Sequence, residues 1–123
     1  MLACGGELDG VHLLDTQTIR DATESGVKGR WFGWTEEMLA AAKVPETVFE
    51  VTFARGFVRN NAFAYMGPNP EAFGAGGSGG SFAFADPGAR VSFGYAQNAH
   101  LGQGQGRDSR SGRLIDALYD SLS

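Results

Sequence analysis

Residues 73–95 constrain this chain more than any other stretch. They read F-G-A-G-G-S-G-G-S-F-A-F-A-D-P-G-A-R-V-S-F-G-Y, a glycine-dense run followed by two short alternating segments. Phe82 and Phe84 share one face of the first segment, and Val91, Phe93 and Tyr95 share one face of the second. A period of two built from aromatic and β-branched residues marks a half-buried strand. Asp86-Pro87-Gly88-Ala89 between them suits a tight turn, with Pro87 fixing φ at the second position and Gly88 allowing positive φ at the third. The expected element is an antiparallel hairpin whose first strand is entered through backbone almost free of side chains. Such backbone can lie close against a ligand or another strand, as at the edge of an active site.

The remaining elements follow from caps and periodicity. Met1-Leu-Ala-Cys4 reads as the tail of a helix stopped by Gly5-Gly6. Asp15 is placed to cap a helix running to about Thr23. A second helix is expected over 34–43, with Thr35 as its cap, Glu36 and Glu37 favoured by the dipole in the first turn, and Pro45 beyond its end. Residues 48–53 alternate as a strand does, and 57–65 do so more weakly. Residues 98–106 form a polar loop in which Gly102, Gly104 and Gly106 alternate with Gln. Asp108 or Ser109 caps a last helix with Leu114, Ile115, Leu118 and Leu122 as its apolar stripe. The fold class expected is α+β, an antiparallel sheet of about three strands with helices packed on one face.

Those residues carry a resemblance. The pattern F-G-x-G-G-x-G-G-S-x-x-F-A-D-P-x-A-x-x-x-F-G-Y resembles the C-terminal part of the serine β-lactamase-like hydrolases: class C β-lactamases, penicillin-binding proteins and, closest, related esterases. The segment Gly5-Gly-Glu-Leu-Asp-Gly-Val-His-Leu-Leu14, the helix after it, and Gly67-Pro-Asn-Pro70 resemble the family's sequence upstream of the hairpin. The likeness covers most of the chain, patchily between Ser25 and Phe53, and only the last part of a whole family member. It implies a single partial domain over residues 1–123. Upstream sequence would supply two further strands and an all-helical lobe, so that a sheet edge and one apolar surface stay open here. An open edge with Phe-rich faces invites pairing with the missing N-terminal portion or self-association. The chain is expected to elute above its monomer mass or to aggregate.

The resemblance also assigns chemistry, and here the chain departs from the family. The nucleophile belongs to an S-x-x-K motif and a Y-x-N motif assists proton transfer; both lie upstream of the part represented, and no Y-x-N occurs in the chain. A third motif, K-T-G or H-x-G, falls on residues 75–77, which places Ala75 where the Lys or His would stand. Alanine neither donates a hydrogen bond nor carries charge. By carry-over, the backbone N–H of Ser78 is half of an oxyanion hole, and Gly76, Gly77 and Ser78 contact substrate. Such donors contribute about 3–4 kcal/mol to acyl transfer.

Other strings compete for the same residues. Ser25-Gly-Val-Lys28 fits S-x-x-K, but Gly26 and Gly29 are poor helix formers, and a surface loop explains it as well. Gly74-x-Gly76-x-x-Gly79 matches a dinucleotide fingerprint, which must open a helix; a strand comes next instead. Gly76-x-Ser78-x-Gly80 matches a nucleophile elbow with Asp86 and His100 in the required chain order, and it too needs a helix after it.

Composition excludes several classes. A net charge of −4 argues against nucleic acid as a partner. No apolar run is long enough to span a membrane, and the first residues lack the make-up of a signal peptide, so a cytoplasmic location is expected. Cys4 is alone, His12 and His100 are far apart, and no cofactor or metal is called for. Two functions stay open. One is the C-terminal part of a hydrolase acting on a small ester, amide or β-lactam-like substrate, inactive by itself. The other is a non-catalytic remnant or self-associating module of the same fold.

Overall fold

The computed structural model describes residues 1–24, 26–30, 35–42, 50–77, 79–100 and 109–123. Among the described residues there are eight strands: β1 (Glu7–Leu8), β2 (Val11–His12), β3 (Val27–Arg30), β4 (Glu50–Phe53), β5 (Val58–Arg59), β6 (Phe73–Gly76), β7 (Phe82–Asp86) and β8 (Val91–Tyr95). The helices are α1 (Thr16–Thr23), α2 (Glu36–Ala42) and α3 (Arg110–Asp120), with a 3-10 turn at Leu2–Cys4. β1 and β2 form a separate ribbon, and the other six strands make one antiparallel sheet in the order β3-β4-β5-β6-β7-β8.

The fold class is the expected α+β, but the sheet has six strands rather than about three. Two strands were hidden by glycine. β6 is the start of the glycine run itself, pairing Phe73 with Ala85 and Gly74 with Phe84. A Cβ on Gly74 would lie 2.2 Å from the Ala83 carbonyl oxygen, so close approach of β6 and β7 demands glycine there. β3 includes Gly29 and Lys28 of the S-x-x-K string, with Lys28 opposite Thr52. The expected strand over 57–65 stops at Arg59 because Asn60 and Asn61 take over the backbone. Asn60 Nδ2 donates to the carbonyls of Gly67 (2.8 Å) and Asn69 (2.7 Å), while its Oδ1 accepts from the Met66 N–H (2.9 Å). Asn61 Oδ1 accepts from the N–H groups of Phe63 and Ala64. Side chains that bond local backbone in this way compete with a ladder and end it.

Register decides the two faces. Phe82, Phe84 and Asp86 stand with Gly74 and Gly76 of β6 and with Val91, Phe93 and Tyr95 of β8. This face, with Val51 and Val58, packs against Ala64, Met66, Ala72 and Ile115 of α3. The Phe84 and Phe93 rings lie 5.5 Å apart across the strands. On the other face Ala85 and Phe73 pack with Ala3 and Ile19, and Phe57 meets Phe73 edge-on at 5.1 Å. Helical elements therefore cover both faces, not one. The short N-terminal turn and α1 cover this second face only at Phe73 and Ala85, and leave Ala75, Ala83, Ser92 and Gly94 exposed.

Caps hold with small corrections. Gly5 stops the 3-10 turn in the left-handed conformation (φ 72°), and Asp15 occupies the N-cap of α1. Its carboxylate makes no capping bond and instead lies 3.3 Å from His12 Nε2. Thr35 Oγ1 accepts from Met38 N–H ahead of α2, and Ser109 Oγ caps α3 at Gly112 N–H (3.0 Å). The expectations for Trp34, 43–49 and Asp108 lie outside the described residues. In α3 the stripe is rotated: Ser111, Gly112 and Ile115 are buried with Tyr119 partly so, whereas Leu114 and Leu122 are exposed.

The rotation follows from Tyr119, which seeks a buried carboxylate. Asp86 is 1% exposed. It accepts from Tyr119 Oη (2.5 Å), Asn69 Nδ2 (2.6 Å), and the N–H groups of Gly88 (2.8 Å) and Ala89 (3.1 Å). Burial alone would raise this carboxyl, but the bonds from Tyr119, Asn69, Ala89 and Gly88 together outweigh it and hold it below its ordinary value. Burial first, and then Asp86, pushes the Tyr119 phenol well above its usual range. The hairpin turn is shaped accordingly. Positive φ falls on Arg90 (55°) rather than on Gly88. Gly88 is needed for space instead, since a Cβ there would lie 2.7 Å from Asn69 Nδ2.

Tyr119→Phe leaves a buried carboxylate oxygen without its donor, and a loss of about 1–3 kcal/mol in urea unfolding is expected. Because the folded carboxyl lies below its unfolded value of about 3.9, its contribution is complete above that pH and disappears as pH falls through the folded value. Wild-type stability should therefore drop on acidification more steeply than that of Asp86→Asn. Gly67 (φ 92°) would place a Cβ 2.0 Å from the Tyr119 ring, so Gly67→Ala should lower the melting temperature by several degrees.

Candidate functional site

The glycine run leaves β6 at Gly76 and returns into β7 through a tight turn. Gly77 N–H donates to the Ser81 carbonyl (2.8 Å), Gly80 N–H donates to the Gly77 carbonyl (2.9 Å), and Gly80 takes φ 99°. The turn leads into the extended strand β7, so neither the dinucleotide fingerprint nor the nucleophile elbow has the helix it requires. Asp86 is committed to Tyr119 and the hairpin turn, which removes it from any triad with His100. The S-x-x-K string also fails: Val27–Arg30 is strand, not the helical turn that would carry Lys28 back to a hydroxyl at position 25. Ser25 itself lies outside the described residues.

Of the expected site residues, Ala75, Gly76 and Gly77 line one open pocket together with Ser81, Phe82 and Tyr95. Ala75 is exposed on the sheet face opposite α3, level with Ala83 of β7 and Gly94 of β8. Gly76 points to the other face, opposite Phe82. Gly77 sits in the turn with its N–H already used by Ser81, so its amide is not a donor for substrate. Ser78, the residue expected to supply the oxyanion donor, lies outside the described residues.

Ala75 looks onto an open apolar cleft of about 530 Å³, floored by Ala83, Ala85, Ser92 and Gly94 and walled by Phe57, Phe73 and the Met1-Leu2 end. Among its described lining residues no side chain is titratable; Ser92 supplies the one polar side chain. The floor is smooth because register lines up the small residues of three strands. Such a surface can hold an apolar group and can present backbone, but among its described lining residues no titratable side chain stands ready to activate the Ser92 hydroxyl or to move a proton.

Beyond the turn, a polar cluster missed in the sequence lies close against the glycines. Arg110, the first residue of α3, donates to Gln97 Oε1 and to the Ala99 carbonyl (3.4 Å). Gln97 Nε2 and the His100 ring come within 3.2 Å of where a Cβ on Gly79 would stand, and Gln97 closes likewise on Gly80. The glycines make room for this clamp. The sequence signal was an Arg at a helix start following a polar loop, too general to be specific. Among the described residues no group of three His, Cys, Asp or Glu could hold a metal ion, and no helix is long and apolar enough to cross a membrane.

The fold has counterparts among solved structures. Over 98% of this chain, a penicillin-binding protein homolog from Caulobacter crescentus is similar at 40% identity and a TM-score of 0.72. A family VIII carboxylesterase is similar over 97% at 36% identity and a TM-score of 0.74. The chain spans only 29% and 28% of those two proteins. No protein-family model matches it, and no curated protein does. The resemblance read from the sequence holds: this is part of a β-lactamase-like fold, and the shares covered accord with a C-terminal part.

The two glycines flanking Ala75 and Gly76 are expected to differ. Gly74→Ala forces a Cβ into the Ala83 carbonyl and should destabilise by about 1–3 kcal/mol. Gly77→Ala meets nothing nearer than the Ser81 carbonyl at 3.9 Å and should leave the melting temperature within about a degree. Parallel thermal melts check the pair.

Proposed function

We propose that this chain forms the sheet wall of a β-lactamase-like hydrolase site that cleaves small ester, amide or β-lactam substrates, with the nucleophile supplied by sequence outside it. One observation carries the reading: 36–40% identity over nearly the whole chain to a carboxylesterase and a penicillin-binding protein homolog. In this proposal a serine hydroxyl from the remaining part attacks the substrate carbonyl, passing its proton to a base of that same part, which returns it to the leaving group. The Ser78 N–H then donates to the oxyanion that forms, and Gly76 and Gly77 let the substrate approach the strand end. The oxyanion collapses, expelling the alcohol, amine or lactam nitrogen, and water later cleaves the acyl-serine ester. The cleft beside Ala75 would take the apolar acyl portion. Work in the cytoplasm belongs to the same proposal.

A second function class has its own support. Ala75 stands where the family has a basic residue, and the cleft around it has no titratable side chain among the described residues, as a wall that has lost its chemistry would. A chimera distinguishes the two. This chain replaces the matched 28% of the family VIII carboxylesterase, and hydrolysis of a short-chain p-nitrophenyl ester is measured. Turnover well above the uncatalysed rate, raised by Ala75→His, is expected for the hydrolase wall. A chimera with a cooperative melt and no turnover, with or without Ala75→His, would sink the hydrolase proposal and favour the remnant.

A further inference from the structure

Four of the five residues from 76 to 80 are glycine, so the turn between β6 and β7 starts with more backbone freedom than any other turn built from side-chain-bearing residues would have. A donor aimed at a developing oxyanion works from a fixed position, because it is worth most when nothing has to reorganise during the reaction. A turn this rich in glycine therefore needs ordering from outside itself. The close approach of β6 to β7 accounts for Gly74 and does not extend to Gly79 and Gly80. What a side chain at those two positions would meet is the Gln97 amide. A Cβ on Gly79 would stand 3.2 Å from Gln97 Nε2, and one on Gly80 would stand 3.0 Å from both Nε2 and Oε1. The His100 ring adds a second contact at Gly79, with Cδ2 at 3.2 Å.

Gln97 follows the end of β8 and is fixed in turn by Arg110. The guanidinium donates to Gln97 Oε1 and to the Ala99 carbonyl (3.4 Å). A bond from a charged donor is roughly twice as strong as one between neutral groups. Arg110 opens α3, and other contacts set the place of that helix. Ser109 Oγ caps it at Gly112 N–H (3.0 Å), Ile115 is fully buried, and Tyr119 is bonded to Asp86. A line of contacts thus runs from the buried carboxylate along α3, through Arg110 and Gln97, to the glycine turn. Every residue in it belongs to this chain.

We propose that Arg110 is a positioning residue: acting through Gln97, it holds Gly79 and Gly80 so that the neighbouring Ser78 N–H keeps one orientation toward substrate. The purpose of the ordered turn rests on the hydrolase reading above; the ordering itself rests on the contacts alone. Without Arg110 the Gln97 oxygen loses its donor, the amide leaves the glycines, and the turn samples arrangements in which the N–H misses the oxyanion. Because the oxyanion exists only beyond the ground state, the loss falls on kcat rather than on KM.

The chimera with the family VIII carboxylesterase carries the test. In ester hydrolysis Arg110→Ala is expected to lower kcat about ten- to a hundredfold, with KM within about threefold of wild type. Gln97→Ala should do the same, and the double variant should fall no further than either single one, because the two residues act in series. Arg113→Ala removes the same charge from an exposed position on α3 and should leave kcat unchanged. A double variant that falls by the product of the single effects overturns the proposal, as does a loss confined to KM or one matched by Arg113→Ala. Hydrogen exchange supplies a readout that needs no turnover. Peptides covering residues 76–81 should exchange about tenfold faster in Arg110→Ala, while those covering 82–95 keep the wild-type rate. Unchanged exchange at 76–81 overturns the proposal, and faster exchange in both regions reduces Arg110 to a support for the hairpin and overturns it too. A folded wild-type chimera without turnover sinks the hydrolase reading by itself, and the exchange at 76–81 then decides whether Arg110 orders the turn. Should the chimera not fold, the same exchange comparison on this chain decides it.

Discussion

The Asp86 carboxylate is the interaction on which the rest of this structure depends. It ends the central hairpin strand, and its partners come from three places: the turn that starts β8, the loop at Asn69, and Tyr119 on α3. These segments lie far apart in sequence, and Tyr65 Oη, donating to Asp116 Oδ1 (2.5 Å), adds a second polar tie between the loop and α3. A buried carboxylate is costly without donors, and four donors converge here. The helix follows the carboxylate rather than its own leucines. Tyr119 reaches Asp86 over the backbone of Gly67, whose lack of a side chain leaves room for the ring. Ile115, one turn back, is thereby set into the core, and Leu114 and Leu122 are left outside.

Asn60 performs a related task between β5 and β6. By bonding the carbonyls of Gly67 and Asn69 and the Met66 amide, it folds residues 60–72 into a compact loop without a ladder. Arg59 ties that loop to α1, donating to the Thr23 carbonyl (2.9 Å) and pairing with Glu71 (2.7 Å). Side-chain amides and one carboxylate thus hold the connections, while the apolar strands supply the layers. The cleft face inherits its smoothness from this division.

The hairpin at 82–95 was legible in the sequence because its alternation survives unbroken in both strands. The helix caps at Asp15, Thr35 and Ser109 were legible for a similar reason: each is a small polar residue directly before a helical run. Three features were not legible in the same way. β6 is built from glycines whose propensity argues against a strand, and only the approach of Ala83 explains them. The Asp9-Gly10 pair between β1 and β2 is a hairpin turn with positive φ at both residues, a short signal easily outweighed by the glycines around it. The rotated stripe of α3 was illegible because helical periodicity weighs leucines above a tyrosine, and no local pattern links Tyr119 to Asp86. At the site, the family pattern put Ala75 at the Lys or His position, and the structure sets it exposed on β6. The Gly77 amide was spent within the turn, a fact that spacing alone does not contain.

The central claim is that a single buried, ionised carboxylate joins hairpin, loop and terminal helix. A carbon-detected NMR titration of the Asp86 carboxyl in the folded chain tests it most directly. A midpoint below the ordinary aspartate value of about 3.9, moving upward when Tyr119 is replaced by Phe, is the result this account requires. A midpoint at or above that value, unaffected by Tyr119→Phe, would contradict it.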